Sequence, residues 1–380
     1  AVTNDGAKIV AELLVKHPAA KAFVSLAESQ ENACGDGVTG CIILASELMS
    51  EAGRLLERGL HPLILVNGYQ MALNETISLI DERSRSAENL LEEVARTSLI
   101  GRSTENALGH LSKLISTAVG TIPDSDYERV RMTKAGEGTP ASSRLINGLI
   151  LEKKLALERM PRKLTASKVS VMSCPLELEK SSVSAEIEIN SPEQYEEFIA
   201  SEEKYIENLT LKAKNSGANV IFSAEGIDQR ILHSLADAGI FAMGNVESSI
   251  TEDIAKACGA KLCDHIDDIT ECLGDINGLV HHRLEGPEGV KERITVEVGP
   301  GAGIVTILVG GTDGVAAEET IRGLYDSLRS TCLAKEENSV ILGGGSLHIA
   351  ASLRVREAAE KCPGRERLSM EAFSRALEAI

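Results

Sequence analysis

Between residues 7 and 120, apolar side chains recur three or four positions apart, as at Ile9, Val10, Leu13 and Leu14, and again at Ile42, Ile43, Leu44, Leu48 and Met49. That period predicts a layer of amphipathic helices, with breaks near residues 35–37, 59–62 and 101, where glycine and proline interrupt it. From about 121 to 139 the pattern becomes shorter and more polar. Ala135-Gly136-Glu137-Gly138-Thr139-Pro140 reads as an exposed turn ahead of an apolar strand at Leu149-Ile150-Leu151. Between about 151 and 300, short β-type runs (168–172, 220–222, 240–243, 261–263) alternate with helical ones (228–238, 251–257), which predicts a parallel sheet with crossover helices. The glycine-rich run at 299–303 lacks the GxxxxGK spacing of a P-loop and reads as a hairpin or hinge. A buried strand is expected at 304–309, and helix returns from Ala316. The chain thus leaves a helical layer, builds an α/β region and comes back.

Ser191-Pro192-Glu193-Gln194 combines an N-cap, a first-turn proline and a capping-box glutamine. It opens a helix with Tyr195, Phe198, Ile199, Tyr205, Ile206 and Leu209 on one stripe, the usual pattern of a face turned to a core.

At 380 residues, 43% of them hydrophobic, the chain has material for two or three domains. A net charge of −18 argues against nucleic acid and anionic membranes as partners, because neutralising phosphates takes clustered Lys and Arg. With aromatics at 3% and no Trp, base-stacking platforms are not expected. No stretch reads as a leader or a membrane span, so the expectation is a soluble, cytoplasmic protein. The eight cysteines form no CxxC pair and read as reduced thiols. Cys258, Cys263, Asp264, His265 and Cys272 gather soft ligands, but at a spacing wrong for a zinc knuckle.

Gly35-Asp36-Gly37-Val38-Thr39 sets an acidic turn directly before a helix. Two glycines allow close backbone approach, the helix N-terminus attracts an anion, and Asp36 can supply an oxygen to Mg²⁺, so the turn suits a metal-bound phosphate. The same residues also make an ordinary capped turn. Taken alone, Asp326 reads as a solvated surface charge and Asp5 as an N-cap.

Other blocks extend this one: Thr3-Asn4-Asp5-Gly6, His17-Pro18-Ala19-Ala20-Lys21, His61-Pro62, Thr97-Ser98-Leu99-Ile100-Gly101, Leu145-Ile146-Asn147-Gly148, Ile307-Leu308-Val309-Gly310-Gly311-Thr312 and Gly343-Gly344-Gly345. In this order they resemble the group II chaperonins, the thermosome and its eukaryotic cytosolic relatives, over nearly the whole chain. The resemblance implies a multidomain α and α/β fold. A helical equatorial domain (1–88 and 328–380) would be incomplete. A small α/β intermediate domain would occupy 89–150 and 302–327, and an α/β apical substrate-binding domain 151–301, with a helical protrusion at about 181–205 acting as a lid. It implies ATP and Mg²⁺ as cofactors, with non-native proteins and other chaperonin subunits as partners. Residue by residue, Asp36 matches the family's magnesium ligand, and Gly35, Gly37 and Thr39 its phosphate loop. Asp5 and Asp326 match the carboxylates that hold the attacking water. Gly343, Gly344 and Gly345 match the turn against ribose and base, and Lys134 the lysine that senses the γ-phosphate.

Two departures bear on activity. Val38 and Gly40 stand where the family usually carries threonines, leaving Thr39. The family's Leu-Gly-Pro phosphate loop and its last equatorial helices fall outside residues 1–380, which is expected of a shortened derivative or fragment. Two functions therefore stay open on sequence: an ATP-driven folding subunit, and a non-hydrolysing protein-binding module derived from the same fold.

Overall fold

The computed structural model describes residues 6–13, 15–101, 105–178, 192–286, 289–299, 301–311 and 314–380. Among the described residues the chain opens with six α-helices: α1 (Gly6–Ala11), α2 (Pro18–Cys34), α3 (Val38–Glu57), α4 (Pro62–Arg83), α5 (Leu91–Leu99) and α6 (Leu108–Thr121). The middle carries β1 (Val130–Lys134), β2 (Arg144–Leu151), β3 (Lys163–Met172), α7 (Pro192–Asn215), β4 (Val220–Ser223), α8 (Gln229–Asp237), β5 (Phe241–Met243), α9 (Ser248–Cys258), β6 (Leu262–Cys263), β7 (Gly274–Gly286), β8 (Gly289–Glu297) and β9 (Val305–Val309). It closes with α10 (Val315–Glu337), α11 (Ser346–Lys361) and α12 (Glu366–Leu377). Two compact units result, one of residues 1–119 with 314–380 and one of residues 120–313.

In the first unit the helix starts follow local chemistry. His17 and His61 each cap a helix whose next residue is proline, their Nδ1 atoms accepting the N–H of Ala19 and Leu63 at 3.2 Å. α4 and α12 cross closely because Gly68 has no side chain: a Cβ there would lie 2.4 Å from Ser369 Cβ and 2.6 Å from the Glu366 carbonyl. Tyr69 fixes the same crossing, its ring edge-on to Phe373 at 5.5 Å and its hydroxyl donating to the Leu48 carbonyl at 2.8 Å. Between α3 and α12, the buried Glu51 accepts from Arg375 Nε and Nη2 at 2.8 and 2.6 Å and also from Arg54. Burial pushes the Glu51 carboxyl up, but Arg375 and then Arg54 outweigh it and hold the group below the usual carboxylate range.

The second unit is built on a nine-stranded mixed sheet in the order β1-β9-β2-β8-β7-β3-β4-β5, with β6 also on β3. β3, β4, β5 and β6 are parallel, with Val169, Val171, Val220, Ile221, Phe222 and Phe241 fully buried against α8 and α9 residues such as Ile231, Leu235 and Ile254. β1 and β9 are parallel as well, but the strands between the two parallel groups depart from the arrangement that strand-helix alternation predicts. β7 and β8 form a long antiparallel pair from Gly278↔Glu297 to Gly286↔Gly289, and β7 lies antiparallel to β3. A connection this short cannot return a strand in parallel. Glu292 ties the pair to the 152–155 segment: its Oε2 lies 3.0 Å from His281 Nε2 and accepts the Leu155 N–H at 3.2 Å.

The glycine run at 299–303 is not a hairpin, because the strands on either side of it do not pair with each other. β9 lies antiparallel to residues 144–147 of β2, and β8 to residues 148–151, so the run carries the chain across β2. In α7, Ile206, Leu209 and Ala213 are buried while Tyr195, Phe198 and Tyr205 are exposed, so only the second half of the expected stripe reaches the core. Residues 181–191 of the expected protrusion lie outside the described residues.

Candidate functional site

The Gly35-Asp36-Gly37 turn ends α2 and starts α3 at once. Gly35 (φ 73°) returns its N–H to the Glu31 carbonyl as a helix cap, and Gly37 (φ 81°) occupies the N-cap position of α3. Both φ values are ones that L side chains rarely adopt. Gly35 is needed for a second reason, since a Cβ on it would lie 2.6 Å from Arg329 Cβ on α10. Arg329 closes that contact by donating from Nη2 to the Asn32 carbonyl at 2.8 Å.

Asp36 is held at both oxygens. Oδ1 accepts the Gly37 N–H at 2.8 Å and Oδ2 the Ser98 hydroxyl at 2.7 Å, while Gln30 Nε2 donates to the Asp36 carbonyl at 3.0 Å. These bonds fix the orientation of the carboxylate at the start of α3. Beyond it, the N–H groups in the first turn of α3 have no acceptor within the helix. Thr39 is exposed there, and Gly6 approaches so closely that a Cβ on it would lie 2.5 Å from Thr39 Oγ1. Val38 is buried and turned to the core, whereas a Cβ on Gly40 would meet nothing within 4 Å.

α5 and α10 complete the surroundings. They pack through the fully buried Ala95, Leu99, Leu324 and Leu328, and Ser327 Oγ donates to the Ala95 carbonyl at 3.0 Å. Ser98, one turn beyond Ala95, is the residue bonded to Asp36. Asp326 is the neighbour of Ser327 and lies one turn before Arg329, the residue that packs on Gly35. Asp326 is only 8% exposed, so it is not the solvated surface charge that its isolated position in the sequence suggests. The fold therefore sets Gly35, Asp36, Gly37 and Thr39 on one turn of the first unit, with Gly6 against Thr39, and packs against that turn the helix that carries Asp326.

The remaining candidates are placed differently. Asp5 lies outside the described residues. Gly343, Gly344 and Gly345 form the turn that starts α11, with φ values of 67° and 74° at the last two, and the described neighbour of Gly345 is the Ile380 carbonyl. Lys134 ends β1 in the second unit, opposite Val309. No group of three or more His, Cys, Asp or Glu among the described residues forms a metal cluster. Burial beside Cys272 and Cys174 pushes the Cys263 thiol up to about 12, and its Sγ donates to the His265 carbonyl at 2.9 Å. Among the described residues no helix is long and apolar enough to cross a membrane.

Ser98 is the site residue that local pattern misses. It stands within the Thr97-Ser98-Leu99 block, but nothing nearby marks it as the partner of a carboxylate 62 positions away. Replacing it removes one of the hydrogen bonds that orient the Asp36 carboxylate. Ser98→Ala is expected to weaken Mg²⁺-dependent nucleotide affinity about 10-fold, the scale of lost second-layer support at metal sites, with little change in thermal stability. Calorimetric titration of Mg-ATP into both proteins checks this, and equal affinities would remove Ser98 from the site.

A model of the TCP-1/cpn60 chaperonin family matches residues 1–380, and the chain belongs to that family. Its relatives place it with the group II chaperonins. It is 35% identical over 391 residues to thermosome subunit alpha of Archaeoglobus fulgidus and 36% identical over 390 residues to a thermosome subunit of Methanocaldococcus jannaschii. In both cases the match takes in 100% of this chain and 71% of the relative. A thermosome subunit of Pyrococcus horikoshii is 34% identical over 392 residues, covering 100% of this chain and 70% of the relative.

Proposed function

We propose that this chain is a subunit of an ATP-driven protein-folding assembly of the cytoplasm, with its nucleotide site in the neighbourhood of Asp36. The observation that carries the reading is the convergence on one loop of an oriented carboxylate, an open helix N-terminus and a helix bearing a buried acid. Gly35 and Gly37, without side chains, let the phosphates approach the backbone of the turn, and Thr39 in the first turn of α3 offers its N–H and its hydroxyl. Asp36, held by Gly37 and Ser98, offers its oxygen to Mg²⁺, an ion that offsets phosphate charge when bound. Asp326 and Asp5 orient the attacking water and accept its proton. Gly343, Gly344 and Gly345 border the ribose and base, and Lys134 answers to the γ-phosphate.

Under this reading residues 1–88 and 328–380 form the equatorial part, 89–150 and 302–327 the intermediate part, and 151–301 the apical part. Non-native proteins are then held by exposed apolar residues of α7. Tyr195 (55% exposed), Tyr205 and Leu211 lie along that helix, and a groove of about 580 Å³ runs between it and α8, lined by Ile206, Leu211 and Arg230 among others. Other chaperonin subunits complete the assembly.

The test of client binding is aggregation of a guanidine-unfolded protein diluted into the full chain. Tyr195→Ser combined with Phe198→Ser changes two exposed positions and should leave the fold intact. Suppression of aggregation is expected to need about fivefold more of this variant, the scale of losing an aromatic anchor. Unchanged suppression would contradict the assignment of α7.

A further inference from the structure

The second unit contains a concavity that the nucleotide reading does not use. β2 changes partners halfway along, and at the change Gly148 has φ +131° and so little room that a Cβ would lie 2.0 Å from the Val296 carbonyl oxygen. The first half of β2, with β7 and β8, borders a cleft of about 460 Å³ whose polar lining is Arg144, Asn147, Asn277, His282, Thr295 and Glu297. That volume is in the range of small-molecule pockets.

The register explains the convergence. His282 stands opposite Arg293, Val280 opposite Thr295 and Gly278 opposite Glu297, and directly opposed residues project from the same face. Arg293 is 7% exposed, and its Nη1 donates to the Ala135 carbonyl at 3.2 Å. Burial first, and then the charge of Arg144, lower the Arg293 guanidinium, with Glu137 and Glu152 acting the other way. Burial, Arg293, Arg144 and His281 likewise hold the His282 imidazole below its usual value, and Glu297 opposes them. Two guanidinium cations thus act on one imidazole at a polar cleft whose lining includes a single acid, Glu297. Like charges gathered beside the buried Arg293 repel, and an anion entering next to them relieves the repulsion.

We propose that this cleft binds a small oxyanion, a carboxylate or a phosphate group, with Arg144 as its principal contact. The guanidinium offers paired N–H donors matched to either group. Asn147, Asn277 and Thr295 supply neutral donors around it.

The inference is independent of the nucleotide site, and its test reads His282 directly. Ring resonances of the eight histidines are followed by NMR in the full chain, with His282→Gln identifying the relevant signal. Inorganic phosphate is titrated in one arm and succinate in the other, which separates phosphoryl from carboxylate ligands. A bound anion favours the protonated imidazole, so the His282 pKa should rise by about half a unit or more, saturating with a midpoint below about 10 mM in at least one arm. Arg144 is exposed, so Arg144→Gln should fold normally and raise the midpoint at least about 10-fold. Absence of a saturable shift in either arm, or an unchanged midpoint in Arg144→Gln, would overturn the proposal.

Discussion

Asp326→Ala is expected to reduce ATP turnover by about 10²- to 10⁴-fold, the usual contribution of a positioned general base, while leaving nucleotide affinity within about threefold. The asymmetry follows from where the carboxylate sits. Asp326 is buried on α10, next to Ser327, which bonds to α5, and one turn before Arg329, which packs on Gly35. The groups proposed to hold phosphate and metal lie instead on the Gly35-Asp36-Gly37 turn and α3. Removing the Asp326 carboxylate takes away orientation of the attacking water and leaves that cradle in place. Asp326→Asn separates chemistry from packing, because it keeps the shape and loses the charge. It should lose turnover about as fully as Asp326→Ala, with a melting temperature closer to the parent's. Turnover retained in Asp326→Asn would mean that the acid serves the helix packing and not the reaction.

Gly148→Ala should be the most damaging small substitution in the second unit, costing about 3 kcal/mol or more. Two effects add. The residue holds φ +131°, where an L side chain is strained, and the new methyl would fall on the Val296 carbonyl, a backbone atom fixed by the β2 and β8 pairing. The Gly148 carbonyl also accepts the buried Thr306 hydroxyl at 2.7 Å, so a shift of this residue disturbs β9 as well. Gly40→Ala is the matching control. Its Cβ meets nothing within 4 Å and its position is helical, so stability should rise by up to about 1 kcal/mol. Urea unfolding of the three proteins gives both values. A Gly148→Ala midpoint equal to the parent's would show that the change of partners along β2 is not dictated there.

The helices were legible because their cues are local. The apolar period of three or four marks 7–120, and the breaks at 35–37 and 59–62 fall where the structure turns. The break between α4 and α5 carries no such mark. Residues 84–90 contain neither glycine nor proline, and the chain is held open there by pairing of Arg85 with Val340, more than two hundred positions away. The β7 and β8 pair did leave a local trace, the Gly286-Pro287-Glu288-Gly289 turn sequence between two strand-like runs. Alternation of strands and helices on its N-terminal side favours the parallel reading and hides it.

The site divides in the same way. Gly35, Asp36 and Gly37 could be read from their own turn, because positive φ and a helix start leave a local imprint. Asp326 could not, since an acid on a helix looks solvated until α5 and the Gly35 turn are packed against it. Ser98 was the least legible, because its role exists only through a hydrogen bond made after folding.

Mg²⁺-dependent ATP hydrolysis by the full chain, measured beside Asp326→Ala, decides whether the Asp36 turn and α10 form a working site. Turnover in the parent should be saturable, require Mg²⁺ and disappear in the variant, with nucleotide still bound by both. Absence of turnover in the parent, or equal turnover in the two proteins, would contradict that assignment.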